Sequence, residues 1–273
     1  MNVTVAAAEK VLGCEMKISH IVTNGCSFTY CQGLPNKIVN GWPAQIAFEF
    51  NCPVVNLGLP GVGNDSIFRR TYEYLYENQI RDDYKPLVII EWTQRWRREC
   101  WSNEEEDYIL VSFPDDNVKD KDYNQLALLE NWNDEDFIRK TILYRLTLIN
   151  LFEHFEIPYL MFNYAGSEEA YDKVNKVSRY FTNMTKESRN KYDLGDLYTI
   201  TGPLPKLPCG HDDMPGQNLL SKHIIENIKE IYPNLEYTNT ANFLSLRDFI
   251  KVSKFHRKFP EWCEFKLKHD ILP

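Results

Sequence analysis

A serine, a histidine and a group of glycines stand where acyl-transfer chemistry would need them. Asn24-Gly25-Cys26-Ser27-Phe28-Thr29 follows a β-branched run, so Ser27 falls just past a strand and behind a glycine. There its hydroxyl is presented at a sheet edge and its own N–H at the start of a turn, as a nucleophile with half an oxyanion hole requires. The same placement also suits a plain helix N-cap. Cys26 is a rival nucleophile, but the alternation of strand side chains turns it inward, away from Ser27. A second turn, Asn56-Leu-Gly-Leu-Pro-Gly61-Val-Gly63-Asn64-Asp65, supplies backbone able to approach a ligand closely. Its glycines follow G-x-x-G-x-G after the second strand, which is not the dinucleotide fingerprint, and there is no Walker lysine. Near the carboxyl end, Pro208-Cys-Gly-His211-Asp212-Asp213-Met-Pro-Gly216 puts a histidine in a Gly-bounded loop ahead of a helix, a setting for a general base. Of the six histidines this one has the most constrained context. Three adjacent residues rarely converge on one ion, so neither a metal site nor an organic cofactor is expected.

The elements that must position these groups can be read from hydrophobic pattern. Ser19–Thr23, Pro53–Leu57, Pro86–Glu91 and Pro158–Phe162 are short, β-branched or apolar runs ending near Gly or Asn, the pattern of buried strands. Helical spacing of apolar residues follows at 64–76, 137–156, 168–182 and 217–231, the last stopped by Pro233. Alternating strands and helices indicate an α/β fold: a three-layer α/β/α sandwich with a mainly parallel, flavodoxin-like sheet of about five strands. In such sheets ligands bind beyond the carboxyl ends of the strands, so the turns at 24–30, 58–64 and 91–95 should share one crevice.

Composition narrows the class. The chain has 273 residues with a formal net charge of −8, which argues against a dedicated nucleic-acid surface. No apolar run reaches the roughly 18 residues of a membrane span, and the first residues do not read as a signal peptide. Seven scattered cysteines without a CxxC pair fit reduced thiols, so a cytoplasmic or virion-associated location is expected. The charge is uneven: residues 99–136 carry thirteen acids against two lysines, a net −11 that leaves +3 elsewhere. This acidic insertion starts directly after the third strand, where a lid or specificity loop would sit, although a charge run is more often a solvated loop. Trp92, Trp96, Trp101 and Trp132 lie in or beside it, and exposed indoles there would stack on sugar rings, although tryptophans more often serve core or hinge packing. Arg95, Arg97 and Arg98 would pair with the acids or meet an anionic substrate. Residues 1–17 form an N-terminal extension and 18–233 the main domain. The aromatic and basic tail, 234–273, packs back on the domain or carries self-association or an assembly contact.

Taken together, the turns resemble the blocks of SGNH (GDSL-type) hydrolases, most closely SGNH-like proteins of tailed phages. Gly25-Cys26-Ser27-Phe28-Thr29 is similar to the Gly-Asp-Ser block, Asn56–Gly61 to the second block and His211 with Gly216 to the last; the resemblance covers roughly 18–230. It implies a serine esterase acting on a small-molecule ester or glycan O-acyl group, with Ser27 as nucleophile and His211 as base. Oxyanion donors would come from Ser27 and Gly61, and substrate contacts from Trp92, Arg95, Trp96 and Asn64. Two positions depart from the family. Its third-block Asn is absent from Glu91-Trp92-Thr93-Gln94-Arg95, leaving Thr93 or Gln94 as donor, and the Asp three residues before the histidine is Pro208. Asp212, Asp213 or a backbone carbonyl would then orient His211, or a Ser–His dyad operates. The alternative is an SGNH-fold binding or structural protein without catalysis, such as a virion component.

Overall fold

A computed structural model describes residues 16–78, 85–94, 97–102, 107–112, 134–163, 192–196 and 204–237. The chain divides after Tyr237, and every described residue belongs to the first unit. The elements run β1 (Met16–Ile18), β2 (His20–Asn24), α1 (Lys37–Asn40), α2 (Trp42–Glu49), β3 (Val54–Asn56), α3 (Asn64–Glu77) and β4 (Pro86–Trp92). They continue with β5 (Arg97–Ser102), β6 (Asp107–Ser112), α4 (Asp134–His154), β7 (Tyr159–Asn163), β8 (Asp193–Asp196), α5 (Met214–Ile231) and β9 (Leu235–Tyr237).

Five strands form one sheet in the order β3-β2-β4-β7-β8, with every pairing parallel. This is the doubly wound order anticipated from the alternating pattern, and the chain reverses direction across the sheet between β2 and β4. The three inner strands, β2, β4 and β7, are buried along their whole length. Their side chains alternate between two cores. Ile21, Leu87, Ile89, Leu160 and Phe162 pack with Trp42 and Ile46 of α2 and with Leu220, Ile224 and Ile228 of α5. The opposite face meets α3 and α4: His20 bonds Tyr74, Asn24 bonds Ile67 and Thr71, and the Tyr159 ring lies 5.0 Å from Phe152.

Three features differ from the pattern-based expectation. Helix α5 begins at Met214 rather than 217, because Asp213 caps it by accepting from the Gly216 N–H and Pro215 is tolerated in a first turn. Asn64, Asp65 and Ser66, which the sequence offers as N-cap residues, lie inside α3, and its cap is Gly63, with no side-chain cap bond. The acidic insertion opens as an antiparallel hairpin, β5 with β6, which Arg69 of α3 anchors through bonds to Glu99. Residues 103–106 and 113–133 of that insertion, the helix expected over 168–182 and the tail from 238 onward lie outside the described residues, and 134–136 open α4. Among the described residues no helix is long and apolar enough to cross a membrane.

At the far end of the sheet, Arg145 of α4 donates to Asn163 Oδ1 at 3.0 Å and forms an ion pair with Asp193. Their side chains are only 0% and 4% exposed. Removing one member of a buried pair leaves the other charge uncompensated. Arg145→Ala should therefore lower unfolding free energy by roughly 3 kcal/mol or more in urea titrations. A loss below about 1 kcal/mol would show that the pair does not hold β7 and β8 to α4.

Candidate active site

The site assembles where the sheet reverses. The Cys26 carbonyl accepts from Tyr30 N–H at 2.9 Å and Phe28 O from Cys31 N–H at 3.0 Å, so the chain after β2 winds into a single helical turn. Ser27 sits in its first positions and is 4% exposed. Among the described residues its N–H makes no hydrogen bond, nor does the N–H of Gly61, which has a positive φ of 80°. The second turn is laced to the first: Leu59 N–H donates to Gly25 O at 3.1 Å and Asn56 Nδ2 to Thr29 O at 2.8 Å. A Cβ on Gly25 would meet Thr29 Oγ1 at 2.1 Å and Glu91 Cβ at 2.8 Å, so only glycine lets the Ser27 turn lie against β4. Gly63 is equally constrained, by the Arg97 carbonyl at 2.2 Å from such a Cβ.

His211 reaches the same place from a tight loop. Leu207 N–H donates to His211 O at 2.7 Å and Asp213 N–H to Pro205 O at 3.1 Å, which clamps residues 205–213 into a narrow hairpin-like loop. The imidazole lies with its centroid 4.8 Å from the Phe28 ring, one residue from Ser27. It does not hydrogen-bond Ser27 Oγ; its Nδ1 faces Cys209 Sγ at 3.4 Å. Burial holds the imidazole below its ordinary 6.5, with Lys206 and Arg97 acting the same way and the Asp212 charge opposing. At neutral pH that favours the uncharged, proton-accepting form.

Other expected site residues are placed differently. Asp213 is spent on capping α5. Asp212 is fully buried in an ion pair with Lys206 and acts on His211 by charge rather than by a hydrogen bond. Asn64 is committed to the third turn: its Oδ1 accepts from Thr93 N–H at 2.9 Å, and its Nδ2 donates to Thr93 O and Thr141 Oγ1, both at 3.2 Å. Neither Asn64 nor the Thr93 N–H is therefore available to a substrate. Gln94 is half-buried with its N–H and side chain uncommitted among the described residues. Trp92 is 1% exposed on the α3/α4 face, beneath the sheet, and cannot stack on a sugar. Arg95 and Trp96 lie outside the described residues. Arg98 pairs with Asp136 at 3.3 Å, whereas Arg97 reaches Thr93 Oγ1 at 3.4 Å. Among the described residues no group of three or more His, Cys, Asp or Glu could hold a metal ion.

The residue that pattern reading passed over is Glu91. It stands in an apolar strand, with no exposure, on the face toward α5. Its Oε2 accepts from Thr29 Oγ1 and its Oε1 from Cys26 Sγ at 3.5 Å, so it touches residues on both sides of Ser27. Burial pushes its carboxyl up to about 7, against the hydrogen bonds from Thr29 and Cys26. Burial likewise pushes the Cys26 thiol up to about 12, which removes it as a rival nucleophile at neutral pH. A lone acidic residue in an otherwise apolar strand, Pro86–Trp92, was the available signal.

No family model matches the chain, and no curated protein sequence matches it. Among solved structures, TesA matches with a TM-score of 0.47 and 13% identity, over 78% of this chain and 99% of that one. The psychrotrophic esterase EstA from Pseudoalteromonas sp. matches with a TM-score of 0.47 and 13% identity, over 78% and 97%. A lipolytic protein of the G-D-S-L family from Desulfitobacterium hafniense DCB-2 matches with a TM-score of 0.44 and 17% identity, over 77% and 99%. At such identities these are likenesses only, and the fold rests on the strand order and register above.

Glu91 has a signed consequence for stability. An acid whose folded pKa is raised holds its proton more tightly when folded. Its contribution is then greatest below the unfolded value of 4.5 and is lost as pH rises to about 7. Glu91→Gln keeps a neutral group there, so the variant should gain on wild type by up to roughly 3 kcal/mol between pH 4.5 and pH 8. Paired urea melts at the two pH values measure this; a constant difference would mean that the fold does not raise the Glu91 pKa.

Proposed function

We propose that this chain is a serine ester hydrolase of the SGNH type. The observation that carries the reading is the meeting of the Ser27 turn and the His211 loop, through Phe28, at the crevice where the sheet reverses. Ser27 Oγ attacks the ester carbonyl while His211 takes its proton, then returns it to the leaving alcohol. With Nδ1 turned to Cys209, Nε2 is the nitrogen left for this task. Backbone N–H groups of Ser27 and Gly61 hold the oxyanion, and with the Thr93 N–H taken by Asn64 the third donor falls to Gln94. Water, activated by the same imidazole, releases the acyl group.

The narrower reading, a glycan O-acyl ester, drew on four tryptophans. Trp92 is buried; Trp96, Trp132 and the Trp101 side chain are outside the described residues. The proposal therefore stays with esters as a class. One observation favours a second reading, an SGNH-fold binding protein or virion component: His211 Nδ1 faces a thiol where a triad places a carboxylate.

A fluorophosphonate probe separates the two. Wild type should label at Ser27 and hydrolyse p-nitrophenyl acetate, while Ser27→Ala and His211→Ala should each lose on the order of 10³-fold or more in kcat. Folded wild type that neither labels nor turns over would establish the binding reading instead.

A further inference from the structure

Glu91 occupies a position that an apolar side chain would fill at less cost, and its surroundings explain the choice. From the turn after β2 come Thr29 Oγ1 and Cys26 Sγ, one on each carboxylate oxygen. A Cβ on Gly25 would stand 2.8 Å from Glu91 Cβ, so the glycine lets the turn close over this side chain. From the loop before α5 the Asp212 charge faces it, from β5 the Arg97 charge, and the Cys31 thiol lies close enough to feel its charge. Asp212 and Asp193 each have a cation in contact, but among the described residues Glu91 has none within ion-pair distance. The carboxylate is thus compensated mainly by two neutral donors, both from the turn that carries Ser27.

We propose, resting on the reading of Ser27 as nucleophile, that Glu91 is the positioning residue of that turn and that its protonation rearranges the hydrogen bonds by which it holds it. Ionised, Glu91 only accepts, and it holds the residue before Ser27 and the residue two after it at fixed places. When a proton from solvent adds to one oxygen, that hydrogen must point at Thr29 Oγ1 or Cys26 Sγ. The contacted group then changes from donor to acceptor, its own hydrogen is released, and one of the two ties is remade. Burial sets this change near neutral pH, within the range in which His211 also acts.

The test compares pH profiles of p-nitrophenyl acetate hydrolysis for wild type, Glu91→Gln and Thr29→Val. Wild type should lose kcat with two protons on the acid side, one at His211 below 6.5 and one at Glu91 near 7. Glu91→Gln should show one proton only, at lower pH, with kcat at pH 8 down about tenfold and KM within about twofold. Thr29→Val should share that loss, and the double variant should lose little more than either alone. A Glu91→Gln profile that superimposes on wild type overturns the proposal. A second arm does not need activity: in Ser27→Ala chain, hydrogen exchange over 25–33, corrected for intrinsic rates, should differ between pH 5.5 and pH 8. The contrast should vanish in Ser27→Ala/Glu91→Gln. If that contrast appears while wild type neither labels nor hydrolyses esters, Glu91 positions the turn and the hydrolase reading falls. If it is absent, the positioning role falls whatever the activity.

Discussion

The pairing of β2 with β4 decides where every group of the candidate site stands. Ile21 lies beside Leu87 and Asn24 beside Ile90, so both strands end at nearly the same level. The Ser27 turn leaves one strand where Glu91 closes the other. The chain runs outward from β2 to β3 and returns to begin β4 on the opposite side, and that reversal opens the crevice. Side chains of a strand alternate between faces, so a slip of one residue in β4 would exchange Glu91 for its neighbour Trp92. An indole would then face the turn and a carboxyl would be driven among the apolar residues of α3 and α4.

Register of this kind is held by more than apolar burial. On the α3/α4 side, Asn24 donates to Ile67 O and Thr71 Oγ1, both at 2.9 Å, and accepts from Gly25 N–H at 2.8 Å. Asn64 joins the start of α3 to Thr93, just past β4, by two further bonds and to Thr141 of α4 by a third. Each asparagine ties a strand end to a helix, and each is buried with its amide satisfied, as interior polar groups require. These ties make the crevice floor rigid on one face of the sheet. On the other face the same task falls to an acid, which adds a charge and with it a dependence on pH.

Much of the architecture was legible in the sequence. Parallel strands covered on both faces read as continuous apolar runs, and Ile21-Val22 and Leu87–Ile90 are such runs. The glycines at 25, 61 and 63 marked the turns, because close backbone approach leaves a compositional trace. What stayed hidden was the destination of polar side chains. Asn64 and Asp213 both stand at a helix start, yet Asp213 caps its helix and Asn64 turns to Thr93; only the position of a strand far off in sequence separates them. Trp92 read as exposed because it borders a charged segment, whereas strand alternation carries it under the sheet. The hairpin of β5 and β6 was obscured by acids that suggested a solvated loop.

The absence of an acid at position 208 has a physical answer in the loop itself. A triad carboxylate fixes an imidazole that would otherwise turn freely. Here Pro208 stands at the tip of a loop already closed by the bonds of Leu207, Gly210 and Asp213, and by the ion pair of Lys206 with Asp212. The ring is then fixed on two sides, by Phe28 at 4.8 Å and by Cys209 Sγ at 3.4 Å. In the proposed enzyme, backbone and packing supply the orienting part of what a side-chain carboxylate does in a triad, while burial favours the neutral ring. The buried carboxylate of this site stands instead under the serine, where Glu91 grips the turn that presents it. In the proposed enzyme the buried acid stands beside the nucleophile rather than beside the base.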